Sequence, residues 1–373
     1  MKLDLNIIPS PCFVLEEELL ERNLKLISEV QKKANIKIIL AFKGFAMQSC
    51  FPQIKQYISG VSASSLNEAK MGFDVFGVKT HLYSPAYLEN EFDELVKRSS
   101  HITFNSLNQW EKFKDFSKNV SCGLRVNPEH CEVGTDLYNP CSKGSRLGIL
   151  SKDLPCLPDG IEGIHVHALC ENDSYAFERL LNSVENKFSH ILPKVKWINF
   201  GGGHLMTKKG YDIDHLINTI NKFKEKYSAQ IILEPGSAFA WETGSLVSTV
   251  LDITNNYDIK TAILDVSFTC HMPDCLEMPY KPLVVSCNYN PNGKYIYRLG
   301  GISCLAGDFM EDFRFDNELK IGDKIVFNDM IHYTMVKTTT FNGINLPSIG
   351  ILKKNNSFEL VKKFGFNSYC ERL

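Results

Sequence analysis

Residues 197–204 read WINFGGGH and residues 231–236 read IILEPG. Each is a short apolar run that stops abruptly at glycines or at a Glu-Pro-Gly turn, the pattern of a buried strand that ends in a loop. The same pattern recurs upstream at Lys37–Ala41, Gly60–Ser62, Thr80–Tyr83, His101–Phe104, Cys122–Val126 and Gly163–His167, so that with Trp197–Phe200 and Ile231–Leu233 eight candidate strands can be counted. Helix-like stretches such as Glu17–Ala34, Ser65–Phe73, Glu89–Ser99 and Asp212–Lys226 lie between them. Eight strands alternating with helices match an α/β fold, a closed (β/α)8 barrel spanning about residues 10–245. A doubly wound open sheet is the alternative. After residue 245 the texture changes to VVSCNYNPNGKYIYRLGG and LKIGDKIVFNDM, β-rich segments punctuated by Asn-Gly and Gly-Asp. They read as an antiparallel β domain over 246–373, which the extreme N-terminus joins.

The chain has 373 residues, room for roughly two domains of ordinary size. Hydrophobic content of 44% and charge of 23% suit a globular chain and exclude a fibrous or tail-like one. With 41 Lys+Arg against 43 Asp+Glu, no field draws the chain to nucleic acid or anionic lipid, so a small molecule is the expected partner. The first twenty residues carry Asp4 and three glutamates where a signal peptide needs an apolar core. No apolar run approaches the ~20 residues that span a bilayer. The 12 cysteines are scattered, with no CxxC pair, which favours free thiols and a cytoplasmic location.

Several residues carry possible chemistry. Lys43, in IILAFKGF, ends the first barrel strand on the edge where barrel enzymes keep their active sites. In apolar surroundings its amine would lose its proton and become a nucleophile for an aldehyde; otherwise it is a surface lysine that ends a strand. Gly201-Gly202-Gly203 would let backbone N–H groups reach a phosphate, or would simply form a tight turn. Glu234, before Pro235-Gly236, could hold the proton of a ring nitrogen, or EPG is an ordinary turn. An amine, a phosphate loop and a ring-nitrogen partner in one mouth are what pyridoxal phosphate requires. GIHVHALCE, residues 163–171, puts His165 and His167 on one strand face with Cys170 and Glu171 beyond. A zinc reading lacks further ligands, CHMPDC at 270–275 being a weak source, and an imidazole covering a cofactor ring fits the rest better. Cys304, in GISCLAGD, is an exposed proton-donating thiol or a buried structural one. Tyr333 would bond a phosphate or pack as an aromatic.

Taken together and in this order, AFKGF, HVHALCE, GGGH, EPG and SCLAGD resemble the fold-type III pyridoxal phosphate decarboxylases, the alanine racemase and ornithine decarboxylase superfamily, over nearly the whole chain. Within it they are most similar to the carboxynorspermidine decarboxylases, which act on carboxynorspermidine and carboxyspermidine. The resemblance implies that Lys43 bonds the aldehyde of pyridoxal 5'-phosphate and that His167 lies against the ring, with Arg125 nearby. It also implies that Gly201, Gly202, Gly203, Gly236 and Tyr333 hold the phosphate and Glu234 the ring nitrogen. Cys304 would come from the neighbouring subunit of a homodimer as general acid. The chain departs from ornithine decarboxylase at LCE, at Ser237 after EPG and at Leu305 after the cysteine, which puts ornithine in doubt. Asp274, Asp308, Asp265 and Glu171 are then candidates for the distal amines of a carboxylated polyamine, with Ser237 and Ala238 lining the mouth. Diaminopimelate, arginine or ornithine decarboxylases, an amino-acid racemase, a cofactor carrier and a metal-binding protein are the alternatives. Glu234, where racemases of this fold place an arginine, favours decarboxylation.

Overall fold

The computed structural model describes residues 4–134, 136–278 and 280–373. The chain divides into two compact units, residues 23–239 and residues 1–22 with 240–373. In the first, a parallel sheet runs in the order Val61–Ala63, Thr80–Tyr83, Ser99–Phe104, Ser121–Asn127, Ile161–His165, Trp197–Asn199 and Gln230–Leu233. The segment 37–41, interrupted at Ile39 into Lys37–Ile38 and Leu40–Ala41, pairs with both ends of that series. Ile39 N–H reaches Leu233 O at 2.9 Å on one edge and Leu40 N–H reaches Gly60 O at 3.2 Å on the other, so the sheet closes into a barrel.

The barrel interior is filled in layers. Gly123, Gly163 and Trp197 share one register row. A Cβ built on Gly163 would stand 2.1 Å from the Trp197 ring and one on Gly123 2.2 Å from it, so the indole occupies the space two side chains would need. Its Nε1 donates to Ser121 Oγ at 2.8 Å. Two residues further along the strands lies the row Arg125, His165 and Asn199, which brings three polar side chains to the C-terminal end of the barrel. Beside this interior His81 stacks on His101 at 3.9 Å. The helices that leave the C-terminal ends of strands start on side-chain caps: Ser65 Oγ accepts from Glu68 N–H, Ser106 Oγ from Gln109 N–H and Asp173 Oδ1 from Ala176 N–H. The expected helix Ser65–Phe73 is an α-helix, Leu66–Lys70, that continues as a π-helix, Met71–Phe76.

The second unit holds an eight-stranded sheet in which Cys12–Glu16 lies between Gly244–Asn256 and Ser348–Leu352. Its division from the barrel falls at 22/23 and 239/240 rather than at 10 and 245, because Cys12–Glu16 pairs with these two strands. Nor is the sheet purely antiparallel: Cys12–Glu16 runs parallel to Ser348–Leu352, and Ile259–Leu264 parallel to Tyr295–Gly300. Cys12, Val14, Val247 and Val326 form its buried seam. No helix among the described residues is long and apolar enough to cross a membrane, and every cysteine is free.

Two outcomes follow from this packing. Gly163→Ala drives a methyl into Trp197 and should lower stability by ~1–3 kcal/mol, part of which Trp197→Phe in the same chain should restore. Additive losses in urea unfolding would contradict the shared-space account. Burial and the charge of Lys37 draw His101 down from 6.5 to about 4. The unfolded state therefore takes up this proton first, and the group's contribution, complete above 6.5, is lost as pH falls toward 4. His101→Phe should flatten the pH dependence of unfolding free energy in that window by up to ~1.4 kcal/mol per pH unit; an unchanged slope would contradict it.

Candidate active site

Lys43 follows the first barrel strand and Glu234 the last, so barrel closure brings the two loops together. Ala41 N–H donates to Pro235 O at 3.2 Å, and a Cβ on Gly44 would stand only 2.6 Å from Gly236 Cα. That back-to-back contact is the role the structure gives Gly236. The Lys43 side chain remains reachable from solvent but is walled in by protein. Enclosure lowers its pKa most, with Glu234 opposing and Arg125 reinforcing that shift.

His167, just past the end of its strand, sits between Lys43 and the glycine loop. Its Nδ1 accepts from Gly202 N–H at 3.0 Å and its Nε2 lies 3.4 Å from Lys43 Nζ. An amide N–H can only donate, so Nδ1 carries no proton and the neutral ring keeps its hydrogen on Nε2. That hydrogen faces Lys43 and is welcome only if the amine offers a lone pair. Burial, then the charges of Lys43 and Arg125, hold His167 well below its ordinary pKa, and burial draws the Lys43 pKa down as well.

Glu234 is held by Asn199, which the sequence reading did not single out. Asn199 Oδ1 accepts from Gly201 N–H at 2.8 Å, which turns its Nδ2 toward Glu234 Oε1 at 2.6 Å. Ser62 also bonds this carboxylate. Burial raises the Glu234 pKa, against the pull of Asn199, Lys43, Ser62 and Arg125. Arg125 is 4% exposed, donates to His167 O at 3.1 Å and lies 4.6 Å over the Tyr83 ring.

The three glycines divide their work. The N–H groups of Gly201 and Gly202 bond Asn199 and His167, while Gly203, the third residue expected to hold a phosphate, adopts φ 89°. Ser237 and Ala238, expected to line the mouth, follow the Glu234-Pro235-Gly236 turn. They are 7% and 1% exposed, in a short helix Ser237–Ala240 where Ala238 O accepts from Thr207 Oγ1 at 2.6 Å. Glu171 is exposed at φ 53° on the loop after the His165 strand.

The second unit carries the remaining candidates, and the structure separates acids that look alike in sequence. Asp308 is 4% exposed with both oxygens engaged: Oδ1 accepts from Thr269 N–H at 3.0 Å and Oδ2 from Ser303 N–H at 3.1 Å. Asp265 accepts from Thr249 N–H at 2.8 Å and bonds Ser10. Both are fastened into the fold, which is against a substrate role. Asp274 differs. Its Oδ2 accepts from Tyr280 and Thr334 hydroxyls at 2.7 Å each, while its buried Oδ1 has no partner among the described residues. Cys304 is exposed, with its N–H on Asn342 Oδ1 at 2.9 Å. Tyr333 opens a short helix, Tyr333–Val336, beside His332.

Two further groups lie near this site: His165, which the sequence places on the His167 face, and Glu68, which sequence reading did not single out. His165 is 3% exposed, its ring 5.1 Å from Tyr83 and 6.3 Å from His167, with both nitrogens unpartnered among the described residues. Glu68, whose Oε2 accepts from Ser64 N–H at 2.6 Å, has a pKa raised by burial and is in electrostatic reach of Lys43. The S-x-x-E spacing of a helix start marks Glu68, and a lone Asn in the apolar run WINF marks Asn199. Among the described residues no three His, Cys, Asp or Glu side chains converge to hold a metal ion.

A family model described as "Pyridoxal-dependent decarboxylase, C-terminal sheet domain" matches residues 13–331. The chain is 50% identical to a Synechocystis protein named carboxyaminopropylagmatine decarboxylase, over 99% of this chain and 96% of that one. It is 43% identical to the carboxynorspermidine/carboxyspermidine decarboxylase of Campylobacter jejuni, over 98% of each. A crystal structure of carboxynorspermidine decarboxylase from Campylobacter jejuni, complexed with norspermidine, superimposes with a TM-score of 0.90 at 42% identity, covering 98% of this chain and 100% of that one. The chain belongs to the pyridoxal-dependent decarboxylase family.

Proposed function

We propose that this enzyme uses pyridoxal 5'-phosphate to remove CO2 from a carboxylated polyamine, carboxynorspermidine or carboxyspermidine, releasing norspermidine or spermidine in the cytoplasm, and that it works as a homodimer. The observation that carries the reading is an enclosed, deprotonation-prone Lys43 amine between a neutral His167 and a buried Glu234. Those residues fit the cofactor, because a buried carboxylate with a raised pKa is a site waiting for a cation, and a protonated ring nitrogen is one. When bound, the cofactor supplies an aldehyde that joins the substrate amine and a cationic ring that takes up the electrons left by CO2.

The protein does the rest. Lys43 would hold the cofactor through its amine. Glu234, fixed by Asn199, keeps the ring nitrogen protonated. His167 presents an uncharged ring to the cofactor face, and Arg125 anchors that histidine through its carbonyl. Gly203 and Tyr333 bind the phosphate. Cys304, from the neighbouring subunit, gives its S–H proton to the carbon that CO2 leaves, and the thiolate recovers a proton from water. Asp274, with one carboxylate oxygen uncommitted, binds a distal ammonium of the substrate.

The Synechocystis relative, named for a substrate with an agmatine moiety, favours a second reading in which the distal group is a guanidinium. The pair carboxynorspermidine and carboxyspermidine differ by one methylene, which a pocket discriminates by ~1–3 kcal/mol. CO2 release from these two, carboxyaminopropylagmatine, diaminopimelate, arginine and ornithine, measured in parallel, tests the reading. The carboxylated triamines should lead in kcat/KM. Faster turnover of carboxyaminopropylagmatine would select the guanidinium reading, and preference for diaminopimelate, arginine or ornithine would overturn both.

Glu234→Gln should lower kcat at least ~100-fold with KM little changed, since the charge is needed as electrons reach the ring. A kcat within a few-fold of the parent would remove Glu234 from that role. Asp274→Asn should raise KM ~10- to 100-fold, as a lost partner for a buried ammonium does, and an unchanged KM would free the distal amine from Asp274.

A further inference from the structure

The strands Tyr295–Gly300 and Phe309–Phe315 pair antiparallel, with Gly300 opposite Phe309, and GISCLAGD is the connection between them. Residues 304–307 are exposed at its tip while Asp308 at its root is 4% exposed. A carboxylate this deep is retained only where donors surround it, and the loop provides them. Oδ2 takes the Ser303 N–H at 3.1 Å, and Oδ1 takes the N–H and, at 3.4 Å, the hydroxyl of Thr269 from a separate segment. The Asp308 backbone works too: its carbonyl accepts from Gly301 N–H at 2.7 Å, closing the loop, and its N–H donates to Leu305 O at 3.0 Å. Gly301 has to be glycine here, because a Cβ would stand 2.3 Å from Asp308 Oδ2. On the other side Asn342, held at φ 57°, accepts the Cys304 N–H at 2.9 Å.

Apart from the Thr269 contacts, which fix Asp308 itself, every anchor in this set bears on residues 301–305, the stretch that carries the thiol. We infer that Asp308 is a positioning residue for Cys304, with Asn342 as its second clamp: together with the Ile302 N–H bond to Val266 O at 3.0 Å they fix the backbone of the hairpin tip that carries the thiol. The inference rests on the reading of Cys304 as the proton donor. Proton transfer to carbon tolerates little misplacement, and an error of about 1 Å is enough to slow such a step ~100-fold. The bound cofactor would offer a second carbon for a misdelivered proton, and hydrolysis would then give an aldehyde from the substrate while its amine nitrogen stays with the cofactor. The ratio of aldehyde to amine product therefore reads the position of the thiol.

The experiment compares Cys304→Ala, Asp308→Asn, Asn342→Ala and the double variant Cys304→Ala/Asp308→Asn in the cofactor-loaded enzyme. Product ratio and KM are measured, and hydrogen exchange is followed on the peptide spanning residues 301–308 of the same proteins without substrate. Asp308→Asn presents an amide where two N–H donors converge and should raise the aldehyde share about tenfold. KM should stay within about twofold, and exchange at 301–305 should accelerate. Cys304→Ala should raise the share further, and the double variant should match Cys304→Ala alone. If Cys304→Ala shifts the ratio and Asp308→Asn leaves it unchanged, or if the two effects add, the positioning role is wrong while the proton donor stands. If Cys304→Ala itself leaves the ratio unchanged, the proton-donor reading fails and the inference with it. Should Asp308→Asn not fold, Asn342→Ala, whose site lies on the exposed side of the clamp, carries the same comparison, and an unchanged ratio there overturns the inference.

Discussion

The closure of the barrel between its first and last strands is the constraint on which the site depends. Lys43 and Glu234 lie at opposite ends of the barrel's sequence, and each would be an unremarked charge at a strand end if the sheet stayed open. Backbone hydrogen bonds from Ile39 to Leu233 and from Ala41 to Pro235, with Gly44 packed on Gly236, set the two loops side by side. Once that is fixed, an amine and a carboxylate share one low-dielectric mouth, and burial moves both toward their uncharged forms.

What burial alone leaves ambiguous, the glycine loop decides. Its first two amides are spent on side chains: Gly201 turns Asn199 so that its NH2 faces Glu234, and Gly202 selects the Nε2–H form of His167. The glycine loop thus fixes both the orientation of Asn199 and the tautomer of His167. The layer beneath is equally specific. Trp197 fills the room left by Gly123 and Gly163, so the row Arg125, His165, Asn199 rests on a packed floor rather than on a channel.

Much of this was legible in the chain itself. Apolar runs that end in lysine, in three glycines and in Glu-Pro-Gly marked both the barrel strands and the positions of Lys43, Gly201 and Glu234, because strand ends are where a buried run must stop. The helix Glu17–Ala34 was readable to the residue from its amphipathic spacing. Cys12–Glu16 was not, since its partners lie more than two hundred residues away and nothing local distinguishes it from the approach to a helix. Asp265, Asp274 and Asp308 were indistinguishable as letters. Only their hydrogen bonds reveal that two of them fasten the fold and that Asp274 Oδ1 has no partner among the described residues.

The measurement that bears most directly on the central claim is reductive trapping of the cofactor. The cofactor-loaded protein is treated with borohydride, digested, and the modified peptide sequenced by mass spectrometry. A single modification on Lys43, lost in Lys43→Ala, is the result expected. Modification at another lysine, or none in protein shown to bind the cofactor, would contradict the account.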